Sequence, residues 1–155
     1  MKVRVVAFGQ RMPAWVGAGW DDYARRIPRE WSLSLVELKP EPRDRGKTVA
    51  QILAAEALRV RDACKGARMI VLDERGRAWT TQALAQALQA WRDSAAHVAF
   101  VIGSADGLDA SLRHEAAATV ALSALTLPHA LVRIVLVEQL YRASAMLAGH
   151  PYHRE

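Results

Sequence analysis

The sequence contains a single cysteine, Cys64, in 155 residues. One cysteine excludes an internal disulfide and a cysteine-rich metal site, and it suits a protein of the reducing cytoplasm. No hydrophobic run approaches the roughly 18 residues that a membrane-spanning helix requires. The first ten residues, MKVRVVAFGQ, alternate like a strand and do not resemble a signal peptide. We therefore expect a cytoplasmic protein without a membrane partner.

Several common catalytic motifs are also missing. The chain has no GxGxxG, no phosphate-binding loop with lysine, no HExxH and no nucleophile elbow. A nucleoside triphosphate site is therefore unsupported. His129, His150 and His153 show no convincing metal-ligand spacing with Cys64, so we expect no bound metal.

Positive charge is in excess, with a formal net charge of +5 and an isoelectric point of about 9.9. A basic balance favours an anionic partner, most often RNA or DNA, although a merely solvated surface gives the same composition. Residues 39–47, KPEPRDRGK, read as an exposed loop that either contacts nucleic acid or only connects two elements. The basic residues concentrate in the first half: Arg25, Arg26, Arg29, Lys39, Arg43, Arg45, Lys47, Arg59, Arg61, Lys65 and Arg68.

Strand-like and helix-like segments alternate along the chain. Apolar or alternating runs predict strands, and apolar residues at helical spacing predict helices. This alternation indicates one α/β domain over residues 1–155, with a mainly parallel sheet and helices on both faces. The predicted strands are 3–8, 32–38, 69–72, 97–102 and 119–122, and the predicted helices are 14–26, 49–64, 80–91, 109–115 and 130–147.

The stretch TVALSALTLPH, residues 119–129, has the pattern of a strand, a loop and a helix entrance. Pro128 ends the strand and suits the first turn of the helix that follows. Such a loop can hold a ligand, although an ordinary strand-to-helix turn has the same pattern. In parallel sheets ligands bind beyond the carboxyl ends of the strands. Three predicted loops occupy that position, at 73–79, 103–107 and 123–128.

The loop at 103–107, GSADG, has two glycines that allow a tight turn and close approach of a ligand. Asp106 in this loop and Asp73 in the preceding one could act as an acid/base pair, and turn or capping roles explain each of them equally well. By itself, the glycine loop is weak evidence for a ligand site.

Motifs spread over the whole chain resemble one family. They are GSADG after VAFVI, SALTLPH followed by LVRIVLVEQLYRA, the terminal HPYHRE, and GQRMPAWV and YARRIPRE in the first half. In this order they resemble the RlmH family of SPOUT-class methyltransferases, which act on N3 of a pseudouridine in 23S ribosomal RNA. The glycine loop departs from the usual GGPEG or GGxDG, because Ser104 and Ala105 replace a glycine and commonly a proline.

The resemblance implies a C-terminal trefoil knot, a homodimer and S-adenosyl-L-methionine as the cofactor. The partner would be large-subunit ribosomal RNA, in the assembled ribosome. Carried over by position, the cofactor-binding residues would be Leu72, Asp73, Gly103, Ser104, Ser123, Ala124, Leu125, Thr126, Leu127 and Pro128.

Candidate catalytic residues lie in the last helix and the tail: His129, Arg142, Tyr152, His153 and Arg154. Tyr152 can stack on a base, Arg154 can bind phosphate or a uracil oxygen, and His153 can accept the N3 proton. For Arg142 the favoured alternative is a salt bridge to Glu138, one helical turn away. For the whole chain, the alternatives are a basic ribosome-binding factor without catalysis and an α/β enzyme for a small nucleotide.

Overall fold

A computed structural model describes residues 1–154; Glu155, the last residue of the terminal HPYHRE, lies outside the described residues. The strands are β1 Val3–Phe8, β2 Ser34–Leu38, β3 Arg68–Ala78, β4 Val98–Ile102 and β5 Ala118–Ala121. The α-helices are α1 Ala14–Ala24, α2 Val49–Ala63, α3 Thr81–Asp93, α4 Ala110–Glu115 and α5 His129–Leu147. Two short 3-10 helices cover Arg29–Trp31 and Pro151–Arg154. The predicted α/β class is confirmed.

All strands run parallel in a five-stranded sheet of order β2-β1-β4-β3-β5. The carboxyl ends of the strands therefore meet at one edge. β4 is buried at every position and lies in the centre of the sheet. After β4 the chain crosses over β3 and forms β5 at the outer edge of the sheet. The carboxyl-end regions of β4, β3 and β5 are therefore neighbours.

Helices cover both faces of the sheet, as predicted. Alternate strand residues divide between two apolar clusters, because successive side chains point to opposite faces. Val5 and Phe100 join the cluster with Leu88 of α3 and Leu136 of α5. On the opposite face, Val6, Phe8, Ala99 and Val101 pack with Val60 of α2 and Leu112 of α4.

Polar side chains define the starts of three helices. Thr48 and Gln51 form a reciprocal capping box before α2. Thr80 accepts a hydrogen bond from the amide of Ala83, and Asp109 accepts one from that of Ser111. These caps satisfy amides that otherwise lack partners at helix starts. None of the helices within residues 1–154 combines the length and the apolar character that a membrane span requires.

The predicted loop after Leu72 is wrong in part, because β3 continues to Ala78. Leu72 and Arg77 both pair with Val120, so the strand shifts register between them. Gly76 makes this possible, since a Cβ atom there would lie 2.7 Å from the backbone of Val120. The extension is mostly charged, DERGR, and therefore lacks the apolar pattern that identifies a buried strand. The knot implied by the resemblance stays a prediction.

A buried arginine fixes α5 to the sheet edge. Arg133 is 1% exposed and lies one turn after the start of the helix. Its Nη2 donates to the carbonyl oxygens of Phe8 (2.9 Å) and Gly9 (2.7 Å), and its Nη1 donates to Glu37 (2.7 Å). The first turns of α5 are thereby held at the carboxyl end of β1.

Replacing Arg133 with methionine keeps a long side chain and removes every hydrogen bond of the guanidinium. We expect the free energy of unfolding to fall by about 3 kcal/mol, because two carbonyl oxygens lose their donors and Glu37 loses its cation. Urea denaturation measures the change. The exposed Arg92→Met is the matched control, with an expected effect below about 0.5 kcal/mol. Equal stability of the two variants would contradict the anchoring role.

Candidate functional site

A cavity of about 480 Å³ opens at the carboxyl edge of the sheet. Its walls come from residues 72–75 within β3, from the segments that follow β4 and β5, and from the first turn of α5. These are the three segments that the sequence placed at this edge, and the structure brings them together. Ligand pockets in proteins typically enclose about 300–1,000 Å³.

The predicted cofactor residues line this cavity, with the exception of Ala124. The lining ones are Leu72, Asp73, Gly103, Ser104, Ser123, Leu125, Thr126, Leu127 and Pro128. Sequence reasoning missed Glu74 and Arg75, which also line the cavity. The only sequence feature that pointed to these two residues was their position shortly after the apolar run at residues 69–72. Binding by all these residues stays a prediction.

The glycine loop, residues 103–107, is a tight turn. Gly107 donates its amide to the carbonyl oxygen of Ser104 (2.9 Å) and has a φ of +82°, in the region that favours glycine. A Cβ atom on Gly103 would lie 2.8 Å from the carbonyl carbon of Gly107. The loop therefore has no room for a side chain at Gly103, and all five of its residues line the cavity.

The loop at 123–128 is held by its two hydroxyl groups. The Ser123 Oγ accepts the amide hydrogen of Leu125 (2.9 Å), and the Thr126 Oγ1 donates to Glu74 (3.0 Å). The second bond ties this loop to the extension of β3 across the cavity wall. Leu125 itself is largely exposed, so its apolar surface is available to a ligand or a partner.

The two aspartates have separate partners. Asp73 accepts the amide hydrogen of Arg75 (2.8 Å) in a turn and a hydrogen bond from Arg113 (3.2 Å). Asp106 accepts a hydrogen bond from the Nε of Arg43 (2.8 Å). Each carboxylate is thus held by its own arginine, which favours the turn interpretation over a coupled acid/base pair.

Among the candidate catalytic residues, His129 lines the cavity. The tail instead packs on the far part of α5. The ring of Tyr152 lies 4.5 Å from that of Tyr141, and the Arg142 guanidinium lies 4.9 Å from the Tyr152 ring centre. The predicted Arg142–Glu138 salt bridge is confirmed, at 2.6 Å. His153 and Arg154 are exposed in the short helix beyond.

The environment of Tyr152 perturbs its ionisation. Its hydroxyl donates to Glu138 (3.3 Å), and burial together with this carboxylate raises the pKa of Tyr152 to about 12. A phenol is protonated at neutral pH even at its ordinary pKa, and the raised pKa keeps Tyr152 a hydrogen-bond donor further into the alkaline range.

Distance separates the tail from the cavity within one chain. Arg142 lies thirteen residues after His129 in α5, which corresponds to roughly 20 Å along the helix axis. The structure therefore brings the predicted cofactor residues together and leaves Arg142, Tyr152, His153 and Arg154 at the other end of α5. Within residues 1–154, no three acidic, histidine or cysteine side chains are arranged to hold a metal.

Comparison with solved structures supports the same fold. A probable methyltransferase from Bordetella pertussis Tohama I superposes with a TM-score of 0.59 and 17% identity, over 92% of this chain and 95% of that one. A probable methylase family protein from Haemophilus influenzae Rd KW20 gives 0.58 and 14%, over 95% and 66% of the two chains. At these identities the likeness concerns the fold alone.

Sequence comparison is more specific. A family model described as "Predicted SPOUT methyltransferase" matches residues 1–153. Curated proteins named ribosomal RNA large subunit methyltransferase H are 54% identical in Nitrosospira multiformis and 55% identical in Bordetella petrii, over 99% of this chain and of theirs. The cavity at the carboxyl edge, the glycine loop and these matches lead to one conclusion: the chain belongs to the RlmH family of SPOUT methyltransferases.

Proposed function

We propose that the chain transfers a methyl group from S-adenosyl-L-methionine to large-subunit ribosomal RNA, at N3 of a pseudouridine in 23S ribosomal RNA. The observation that carries this proposal is the cavity formed by three segments at one sheet edge in a member of this family. The relatives named as ribosomal RNA methyltransferases support the choice of substrate.

The residues of the cavity fit this donor. Leu72, Leu125 and Leu127 provide apolar walls suited to a flat adenine ring. All five residues of the glycine loop line the cavity, and the absence of side chains at Gly103 and Gly107 suits a close approach of the donor's carboxylate to the backbone. When bound, the donor supplies an electrophilic methyl group on a sulfonium centre. The chain's part is to hold that group and the acceptor base in an in-line arrangement and to exclude water.

The acceptor nitrogen of a pseudouridine carries a proton at neutral pH, so the site must remove it or stabilise the negative charge that develops. A cation or a hydrogen-bond donor near the base serves the second purpose. His129 is the candidate within the cavity. In the tail, Tyr152 is the candidate for stacking on the base, and His153 is the candidate for accepting the proton. Arg154 is the candidate for binding a uracil oxygen or a phosphate.

These tail residues can reach a cavity only if it belongs to a second copy of the chain. Roughly 20 Å of helix separates the tail from its own cavity, and a symmetric dimer places the tail of one copy at the cavity of the other. Apolar surface on the packed pair α1 and α5 supports such a contact, since Trp15 is 51% exposed and Leu131 is 39% exposed. The proposed enzyme is a homodimer with composite sites.

Enlarging Gly103 tests the donor site. Gly103→Ala places a methyl group against the backbone of Gly107, and we expect the affinity for S-adenosyl-L-methionine to fall at least about tenfold because the turn must open. Isothermal titration calorimetry measures it. Gly17→Ala is the matched control, because a Cβ atom there meets nothing within 4 Å. Absence of binding to the unmodified chain at millimolar donor would overturn the proposed function.

Mixed dimers test the composite site. Arg154→Ala and Gly103→Val should each be inactive alone, and their co-expressed mixture should regain about a quarter of the unmodified activity, because half of the dimers carry one intact site. Radioactive methyl transfer to ribosomes lacking the modification measures this. An inactive mixture that contains heterodimers by mass spectrometry would contradict a tail acting across the dimer.

A second candidate is a basic ribosome-binding factor without catalysis. The departure at Ser104 and the basic loop at 39–47 favour it. We expect instead that deleting the gene removes one N3-methylated pseudouridine from 23S ribosomal RNA, as measured by nucleoside mass spectrometry. The purified chain should then methylate assembled ribosomes in preference to free RNA. An unchanged nucleoside profile would leave only the binding factor.

A further inference from the structure

A network of hydrogen bonds joins the glycine loop to the basic loop at 39–47. Its centre is Glu56 of α2, a carboxylate that is 2% exposed. The Oε1 of Glu56 accepts the hydroxyl hydrogen of Ser104 (2.7 Å), and its Oε2 accepts the amide hydrogen of Glu41 (3.0 Å). One buried side chain therefore holds both loops.

Arg43 closes the same network from the surface. Its Nε donates to Asp106 (2.8 Å), its Nη2 to the Ser104 hydroxyl (2.9 Å) and its Nη1 to the carbonyl oxygen of Glu41 (3.1 Å). The planar guanidinium reaches both loops at once, which a lysine ammonium does not do in this geometry. We call Arg43, Glu56, Ser104 and Asp106 the clasp.

The basic loop at 39–47 is itself held in place by ion pairs of Glu41. Glu41 is buried and forms ion pairs with Lys47 and with Arg59 of α2. Its backbone in turn contacts both Glu56 and Arg43. The glycine loop is thus braced against a helix and against a loop that is itself held by two cations.

Ser104 has a specific role in this arrangement. The resemblance leads us to expect glycine at this position, and a glycine has no hydroxyl to accept from Arg43 and donate to Glu56. The two bonds of Ser104 connect the surface arginine to the buried carboxylate. Ser104 therefore supplies in this chain a connection that glycine lacks.

We propose that Arg43 and Glu56 are positioning residues for the donor cavity, acting through Ser104 and Asp106 to hold the glycine loop in the shape that admits the donor. The proposal rests on the proposed function for the identity of the donor. Neither residue lines the cavity, so neither is expected to touch the donor. Their effect is to reduce the freedom of a loop that would otherwise have to be ordered on binding.

Hydrogen exchange of the unliganded chain tests the clasp without reference to activity. The reporter is the amide of Gly107, which closes the glycine loop. We expect Arg43→Ala and Ser104→Ala to accelerate its exchange at least about tenfold, because each removes bonds that keep the loop shut. Arg45→Ala is the matched control, since Arg45 is an exposed arginine of the same loop that makes no ion pair with any residue in 1–154. It should leave the rate unchanged.

Calorimetry with S-adenosyl-L-methionine tests the consequence for binding. We expect Arg43→Ala and Ser104→Ala each to weaken donor binding about tenfold. The double variant should be weaker than either, because Arg43 keeps its bond to Asp106 when Ser104 is changed, and Ser104 keeps its bond to Glu56 when Arg43 is changed. Relative to Arg43→Ala, the Arg43→Lys variant should regain less than half of the lost affinity for the donor, measured on a logarithmic scale. We expect the same loss of donor binding in Glu56→Ala, and Glu56→Gln, which keeps the shape, replaces that variant if it fails to fold.

The outcomes separate the two proposals. Failure of the unmodified chain to bind the donor would overturn the proposed function and the donor role of the clasp, while the exchange rates would still report whether the clasp holds the loop. Normal donor binding by Arg43→Ala, with exchange no faster than in Arg45→Ala, would overturn the positioning role alone.

Discussion

The buried Arg133 guanidinium sets the geometry on which the rest of the structure depends. It joins the first turns of α5 to the carboxyl end of β1 and to Glu37 at the end of β2. Because α5 begins directly after the loop at 123–128, fixing its start also fixes one wall of the cavity. An arginine suits this place, since its several donors satisfy carbonyl groups that would be costly to bury unpaired.

The other walls depend on similar connections between distant parts of the chain. Thr126 bonds Glu74 on the β3 extension, Arg113 bonds Asp73, and the clasp braces the glycine loop from outside. A loop carries few buried apolar contacts of its own, so its shape at a binding site must come from such polar bonds. Several cations of the basic first half are paired with carboxylates, so the number of basic residues overstates how many side chains remain for RNA.

The fold was largely predictable because its signals are local. Buried parallel strands such as VAFVI are continuously apolar, and Thr48, Thr80 and Pro128 mark helix starts by chemistry that acts within one turn. The position of the cavity followed from the same signals, since parallel strands bring their carboxyl ends together. The β3 extension was not predictable in this way, because its pairing with β5 depends on close approach at Gly76 and its side chains are mostly charged.

The parts of the site that the sequence did not reveal depend on long-range contacts. Arg43 and Ser104 are 61 residues apart, and Glu56 and Ser104 are 48 apart, so no periodicity connects them. The packing of Tyr152 on α5 likewise shows only in three dimensions, and it separates the tail from the cavity that it was expected to complete. Sequence patterns identify the loops, whereas only the folded structure shows which of them are in contact.

The most direct measurement is a crystal structure of the homodimer with S-adenosyl-L-methionine. We expect density for the donor between residues 72–75 of β3 and the segments after β4 and β5, with the tail of the second copy reaching the opening. Donor density elsewhere on the chain, or a dimer in which both tails point away from both cavities, would contradict it.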